Sequence, residues 1–313
     1  MLARVVAIAL NTYREAVRAR LLLGVLAVAL ATCAYSVVVA ALSLHNEVRV
    51  VADLGAASGS FYGVLIVVML GSTSLYRELE HKTIFPILSR PMPRWEYVVG
   101  KYFGTLLTAG VFVTTDAATV LVLLALEAGQ ARWKVVVTVL SMMGVLALTY
   151  FVARKARAQY LVFAAIPLAV IFATLAWLIS NLTPDERQLV TASAALSLCE
   201  LAIVSAVATL FSSFSSPFLT AAFTVTVVVI GRSADTLGHL PKRQLGATVT
   251  AMGRALARII PNLHTYVPPR PLLLGVSNVA VWRYVGSAAL QAVSYATLLL
   301  ILSALAFRRR DFA

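Results

Sequence analysis

Residues 21–43 read LLLGVLAVALATCAYSVVVAALS, a stretch without a charged side chain. A helix needs about 20 apolar residues to cross the hydrocarbon core of a bilayer, so this stretch is long enough to span a membrane. It is too long for the apolar core of a signal peptide, and it lacks a small-residue cleavage site. We therefore expect it to be retained as the first membrane span.

Seven more stretches of this kind follow, which predicts an all-α protein: a polytopic transmembrane helix bundle of about eight spans. The eight candidates are 21–43, 54–75, 102–126, 135–152, 160–180, 189–211, 217–235 and 284–306. The fourth is short and the seventh ends in charged residues, so a six-span arrangement with a membrane-buried irregular pair stays open. The composition agrees, because 60% hydrophobic and 12% charged residues leave too little polar surface for a water-soluble globule.

The basic residues are distributed unevenly between the two sides of the predicted bundle. With both termini in the cytoplasm, the inner segments contain 15 Lys and Arg residues, whereas the three short outer loops contain four. This bias follows the positive-inside rule and predicts cytoplasmic N- and C-termini. The formal net charge of +13 therefore reflects residues that flank spans and contact membrane lipids, and nucleic acid is not expected as a partner.

No linker or repeat divides the chain, so we expect an interfacial amphipathic helix at 1–20 and a single transmembrane domain at 21–313. Within that domain, 76–101 is expected to form a cytoplasmic loop and 236–283 a long extracytoplasmic segment. The latter contains apolar residues at helical spacing: Leu245, Val249, Met252, Leu256 and Ile259. They predict an outer amphipathic helix, which lies either on the outer leaflet or across the ends of the spans.

Catalytic and metal-binding motifs are not apparent. The only Gly-Lys pair, Gly100 and Lys101, lacks the rest of a phosphate-binding loop. The four histidines are scattered without ligand spacing, and Cys33 and Cys199 each lie in an apolar run, where packing as a small hydrophobic residue is expected. We therefore expect neither an enzyme nor a metal site.

Two carboxylates lie well inside predicted spans, Asp116 in the third and Glu200 in the sixth. A charge there costs several kcal/mol unless it faces protein or water, so each residue is a candidate for an intramembrane pathway. The alternative is a neutral or hydrogen-bonded carboxyl that ties helices together. Candidate partners for Asp116 are the nearby threonines Thr114, Thr115 and Thr119.

The second span opens with glycines at every fourth position, Gly55, Gly59 and Gly63. This spacing places them on one helical face and predicts helix packing at close range. The partner is either another span of this chain or a second protomer.

Residues 76–104 read YRELEHKTIFPILSRPMPRWEYVVGKYFG and are too charged to lie in lipid. The first part suits a short amphipathic helix, prolines then break the chain, and Trp95 and Tyr97 mark the return to the membrane. The stretch is therefore either a docking element for another protein or an ordinary solvated loop.

This stretch is similar to the inner loop of ABC type-2 exporter permeases. The similarity rests on a Glu-x-x-Thr element (80–83), a Leu-Ser-Arg-Pro element (88–91), Arg94 and the Gly-Lys pair. Three further features agree: an FSSFSSP turn at 211–217, an Ile-Pro-Asn-Leu run at 260–263 and an Arg-Arg-Asp-Phe tail at 309–312. These three features most resemble the subfamily whose description refers to multi-copper enzyme maturation.

The resemblance implies a permease of the bacterial cytoplasmic (inner) membrane that pairs with a second permease protomer as a homo- or heterodimer. It also implies that a cytoplasmic coupling helix at 76–90 binds an ABC ATPase subunit, that ATP and Mg are held by that partner, and that a hydrophobic or amphipathic substrate is exported. The ATPase-coupling role falls on Arg77, Glu78, Glu80, Lys82, Thr83, Arg90, Pro91, Arg94 and Lys101.

Two features depart from the family pattern. Lys82 stands where glycine is common, and 106 residues separate Gly104 from Phe211, more than a six-span member needs.

Two other functions compete with export. One is an ion-gradient-driven secondary transporter in which Asp116 and Glu200 carry the ion, and the other is a non-transporting membrane scaffold subunit.

Overall fold

The structure, a computed structural model, describes residues 2–18, 21–43, 47–80, 93–127, 133, 161–179, 182, 184–239, 242–267 and 280–308. The regular elements within these ranges are all helices, which confirms the predicted all-α fold. In chain order they are α1 (Leu2–Arg18), α2 (Leu21–Ala41), α3 (Glu47–Glu80), α4 (Arg94–Glu127), α5 (Leu161–Ile179), α6 (Pro184–Ser212), α7 (Pro217–Arg232), α8 (Ala234–Gly238), α9 (Lys242–Ile259), a 3₁₀ helix (Leu263–Tyr266) and α10 (Val281–Arg308).

Five of the described helices contain a stretch long and apolar enough to cross a membrane. These stretches are Gly24–Ala41, Glu47–Thr73, Arg94–Glu127, Glu186–Ser212 and Val281–Phe307. They coincide with five of the predicted spans, so a protein with several membrane-crossing helices is confirmed. Two shorter apolar stretches, Ala165–Leu178 and Pro217–Arg232, fall on the predicted spans 160–180 and 217–235. The candidate at 135–152 lies outside the described residues.

Two helices extend well beyond the apolar stretches that predicted them. Helix α3 continues past position 75 to Glu80, and α4 begins at Arg94 instead of 102, so both flanks of the expected 76–101 loop are helical. Charged side chains do not by themselves end a helix, because its backbone hydrogen bonds also form outside the lipid. Helix α7 is instead shorter than its predicted span. Its 16 residues rise only about 24 Å, less than the thickness of the hydrocarbon core.

The ends of these helices follow from local sequence. Glu96 lies in the first turn of α4, where a carboxylate stabilises the positive end of the helix dipole, and its backbone N–H donates to Pro93 O at 3.0 Å. Helix α7 starts with proline, which suits the first helical position. In the turn before it, the Ser215 hydroxyl donates to Phe211 O at 2.7 Å and lies 2.6 Å from the Thr220 hydroxyl.

The chain divides into two compact units. The first comprises 1–9, 67–106 and 199–313, and the second comprises 10–66 and 107–198. In the second unit, α2 to α6 share an apolar core of largely small and branched side chains. Its buried members are Cys33, Ala40, Val51, Ala118, Val120, Leu121, Leu124, Phe172, Ala176, Leu182 and Val190. Lipid solvates apolar side chains as well as protein does, so close packing, which alanine permits, holds such helices together.

In the first unit, α4, α6 and α10 meet around Tyr102, Ala206 and Ala296. Helices α3 and α6 also approach closely there, because a Cβ atom added at Gly71 would lie 2.6 Å from the Ala208 Cβ. The division of the chain into an interfacial helix at 1–20 and one transmembrane domain stays a prediction.

Candidate functional site

A polar cluster lies within the apolar core of the second unit, and three helices build it. Asp116 of α4 accepts hydrogen bonds from the Ser58 hydroxyl of α3, at 3.3 Å to Oδ1 and 3.4 Å to Oδ2. The Cys33 thiol of α2 donates to Asp116 Oδ1 at 3.4 Å and lies 3.2 Å from the Ser58 hydroxyl. The Asp116 side chain is buried, with 3% of the residue exposed, so the cluster connects α2, α3 and α4 inside the protein.

Glycines bring α3 close enough to α4 for this cluster to form. A Cβ atom at Gly59 would lie 2.8 Å from Asp116 Oδ2, and one at Gly55 would overlap the side chain of Val120. Gly63 is buried further along the same helix. The helix that packs against Gly55 and Gly59 is therefore α4 of the same chain.

The partners of Asp116 are not the threonines that the sequence suggested. Thr115 and Thr119 donate instead to carbonyls four residues earlier in their own helix, Val111 O and Thr115 O, as threonine hydroxyls in helices commonly do. Nor is Cys33 only a small hydrophobic residue, since its thiol bonds to the carboxyl. The geometry favours the interpretation of Asp116 as a hydrogen-bonded tie between helices.

Replacing Asp116 with asparagine is expected to leave the free energy of unfolding within about 1 kcal/mol of the unsubstituted chain, because an amide oxygen still accepts from Ser58 and Cys33. Asp116→Ala removes the acceptor and leaves a void, for a loss of about 2 kcal/mol. Denaturant titration of the purified protein measures both. An asparagine variant that folds but has lost transport would instead identify Asp116 as a pathway residue.

Glu200, the second intramembrane carboxylate, forms an ion pair in the first unit. Arg232, at the end of α7, places Nε 2.9 Å and Nη2 2.8 Å from Glu200 Oε1. The glutamate side chain is 1% exposed and the arginine side chain 34% exposed. The pair therefore neutralises a buried charge of α6 and holds the last turn of α7.

The predicted ATPase-coupling residues fall into three groups. Arg77, Glu78 and Glu80 lie in the C-terminal part of α3, and Arg94 and Lys101 lie in the first turns of α4. Lys82, Thr83, Arg90 and Pro91 lie outside the described residues. Lys101 is buried, with Nζ 5.8 Å from the centroid of the Tyr97 ring, so its ammonium is positioned by a cation–π contact within the protein.

The first turns of α4 contact both α1 and the end of α10, an arrangement we call the clasp. Arg4 of α1 forms an ion pair with Glu96 at 4.0 Å, and α1 lies so close to α4 that a Cβ at Gly100 would be 2.7 Å from the Ile8 Cβ. On its other side, Tyr97 stacks on Phe307 of α10 with ring centroids 6.2 Å apart. The Arg94 guanidinium also donates to Phe307 O at 3.4 Å.

A second set of contacts surrounds the start of α10. The Tyr284 hydroxyl donates to Thr265 O at 2.5 Å, and the Tyr266 hydroxyl donates to Ala288 O at 3.3 Å. Burial raises the pKa of Tyr266 above its usual value, so this hydroxyl stays protonated and available to donate. Asn262 caps the 3₁₀ helix by accepting from the His264 N–H at 3.0 Å, and its amide donates to Asp235 Oδ1 at 2.7 Å.

Among the described residues, no group of three or more His, Cys, Asp and Glu side chains is arranged to hold a metal ion. The two carboxylates that the sequence placed inside spans lie in different units, Asp116 in the hydrogen-bonded cluster of the second unit and Glu200 in the ion pair of the first. Each joins helices through hydrogen bonds or charge.

Comparison with known families gives one match. A family model described as ABC-2 family transporter protein matches residues 48–221, which is more than half of the chain. The match includes both intramembrane carboxylates, the three glycines of α3 and all of the predicted coupling residues. No curated protein matches the chain.

Proposed function

The chain belongs to the ABC-2 family of transporter proteins, and from this premise we propose that it is the membrane-spanning permease subunit of an ATP-driven exporter. Membership makes it a multi-pass membrane protein and the permease component of an ABC transporter, a transport subunit with an ABC ATPase subunit as its partner. In our proposal, ATP and Mg bind to that separate cytoplasmic ATPase, since the only Gly-Lys pair of this chain lacks the rest of a phosphate-binding loop.

The observation that carries the proposal is the position of the clasp. Helix α4 follows directly on the segment that resembles the coupling loop, and its first turns hold α1 and the end of α10. A force that an ATPase applies to that segment would reach α4, and through the clasp it would also reach α1 and α10. Packed contacts of this kind favour movement of connected helices together.

We propose further that both termini are cytoplasmic. The clasp gathers the N-terminal helix, the start of α4 and the end of α10, three regions that the charge bias assigns to the inside. The contacts around Tyr284 lie at the other end of α10, and the 28 residues of that helix rise about 42 Å, enough to cross a bilayer. Both observations support an orientation with the N- and C-termini in the cytoplasm.

The remaining parts of the proposal rest on the family pattern and on the sequence. They are a second permease protomer, residence in the bacterial inner membrane, and outward movement of a hydrophobic or amphipathic substrate. The FSSFSSP turn and the Ile-Pro-Asn-Leu run favour the multi-copper enzyme maturation subfamily. Ser215 makes a hydrogen bond within the first motif, and Asn262 of the second accepts one from His264 just after it, so both motifs have a structural role.

Capture of a cytoplasmic ABC ATPase by the detergent-solubilised chain tests the proposal. Glu80→Arg reverses a charge at the C-terminal end of α3, where the coupling segment begins, and we expect it to weaken capture about tenfold, equal to about 1.4 kcal/mol. Arg49→Glu is the matched control, because Arg49 is exposed in the first turn of the same helix, 31 residues earlier in the sequence. It should capture the ATPase as well as the unsubstituted chain.

Each alternative outcome has a clear meaning. Equal capture by the Glu80→Arg and unsubstituted chains would exclude the end of α3 from the coupling element. Failure of the unsubstituted chain to capture any ABC ATPase would refute the ATP-driven mechanism, and gradient-driven transport or a scaffold role would then replace it.

A further inference from the structure

Helix α9 has one face that the described residues leave uncovered. Within the part of α9 whose side chains are described, the exposed residues are Thr248, Ala251, Met252, Ala255 and Leu256. Their spacing of three and four places them along a single stripe of the helix. Four of the five are apolar, so the stripe is a hydrophobic surface on a segment outside the membrane-crossing helices.

The opposite face of α9 is the one that packs against the protein. Thr250 and Gly253 are buried there, and α9 lies against α8 and α7. Small residues thus make the protein contact, whereas the largest described apolar side chains remain outside it. Met252 is 62% exposed and Leu256 is 38% exposed. An apolar stripe of this kind is stabilised only when something other than water covers it.

The charge of α9 indicates what covers it. The helix reads KRQLGATVTAMGRALARI, with four basic residues and no acidic residue. Basic residues beside an apolar stripe are typical of helices that lie in the headgroup layer of a membrane. Each Lys or Arg near an anionic lipid surface favours binding to it, so the composition of α9 fits phosphatidylglycerol-type headgroups. A second copy of α9 would bring like charges together and is disfavoured.

The position of α9 in the unit fits the same occupant. The helix lies between α8 and the 3₁₀ helix in sequence, and Thr265 of the 3₁₀ helix accepts a hydrogen bond from Tyr284 in the first turn of α10. It is therefore tied to one end of a membrane-crossing helix, where the headgroup layer lies. A helix at that height reaches the acyl boundary with side chains as long as those of Met252 and Leu256.

We propose that α9 is a lipid-binding helix that inserts Met252 and Leu256 into the outer leaflet and selects anionic headgroups through its basic residues. The inference goes beyond the transport function and does not depend on ATPase coupling. Met252 and Leu256, the described members of the apolar stripe that the sequence predicted, are exposed, which favours a helix on the leaflet over one packed through that stripe over the spans.

The test uses the full-length chain in nanodiscs with and without phosphatidylglycerol in phosphatidylcholine. A fluorophore is attached to Met252→Cys, to Leu256→Cys and to the control His239→Cys, which lies in an exposed position just after α8. The unsubstituted protein gives the background from Cys33 and Cys199. Iodide in water and brominated acyl chains in lipid serve as the two quenchers.

In nanodiscs that contain phosphatidylglycerol, we expect iodide quenching at positions 252 and 256 to be several-fold weaker than at 239, and quenching by brominated lipid to be several-fold stronger. The contrast should fall in phosphatidylcholine alone. Iodide quenching at 252 and 256 as strong as at 239 would overturn the proposal. So would protection from both quenchers, which would place protein over the stripe, and an equal contrast in both lipid mixtures would overturn the anionic selectivity.

Discussion

Replacing Arg232 with methionine is expected to lower the free energy of unfolding by about 3 kcal/mol. The substitution leaves Glu200, which is almost fully buried, without the guanidinium that lies 2.8 Å from its carboxylate. A buried charge that has lost its partner is far more costly than an exposed one, because neither water nor lipid can replace the interaction. Unfolding of the purified protein in mixed micelles measures the loss.

The converse substitution, Glu200→Gln, should be milder, because the Arg232 side chain is one-third exposed and can extend its guanidinium toward water. The double variant Glu200→Gln/Arg232→Met should be less destabilised than the sum of the single losses, as a double-mutant cycle on an interacting pair requires. Additive losses would show that the two side chains do not interact.

Arg49→Met provides a matched control for Arg232→Met. The same substitution there removes an exposed ion pair, in which Arg49 Nε lies 3.9 Å from Asp53 Oδ2. Because exposed pairs contribute little, the expected change is at most about 0.5 kcal/mol. An equal loss at both positions would mean that the volume of the arginine side chain matters and that its charge does not.

The sequence was sufficient to predict where most helices lie, because an uninterrupted apolar stretch can satisfy its backbone in lipid only as a helix. It could not predict where the helices end. Hydropathy reports only the part of a helix in contact with lipid. It therefore did not predict that α3 and α4 themselves continue into the expected 76–101 loop, where a separate short helix at 76–90 was predicted. Helix α7, in contrast, is shorter than its predicted span and ends at Arg232.

The polar contacts between helices were harder to predict from the sequence. Asp116 and Glu200 stood out as carboxylates in apolar stretches, but their partners lie 58 and 32 residues away, at Ser58 and Arg232. Which residues of two helices face each other depends on the rotation and register of both, and a single sequence does not encode these as a local pattern. An arginine at the end of an apolar helix was the available signal for the Glu200 pair.

The same limit applied to α9 and to the clasp. Helical spacing identified an apolar stripe on α9, whereas the described residues of its protein-facing side include Thr250 and Gly253, small residues that a hydropathy pattern does not detect. In the clasp, Gly100 had been noted only as part of a Gly-Lys pair. Its structural role is to let α1 approach α4 near Ile8.

Leucine at Gly55 or Gly59 is expected to destabilise the protein by about 3 kcal/mol, and the double variant is expected to yield little folded protein. A Cβ at Gly55 would overlap Val120, whose branched side chain has few alternative rotamers, and a Cβ at Gly59 would lie 2.8 Å from Asp116 Oδ2. Gly110→Leu is the matched control, because nothing lies within 4 Å of a Cβ at that position on α4. The fraction of monodisperse protein after extraction measures the effect.

A rescue experiment separates close packing from a general intolerance of α3 to larger residues. Val120→Ala removes Cγ1 and Cγ2, the two nearest atoms that a Cβ at position 55 would meet, and leaves the Cβ of residue 120 at 3.3 Å, so Gly55→Ala/Val120→Ala should recover much of the stability lost in Gly55→Ala. The same Val120→Ala change should not rescue Gly59→Ala, whose obstacle is the Asp116 carboxylate. Rescue of both variants, or of neither, would contradict the α3–α4 contact, because in this structure each glycine faces a different side chain of α4.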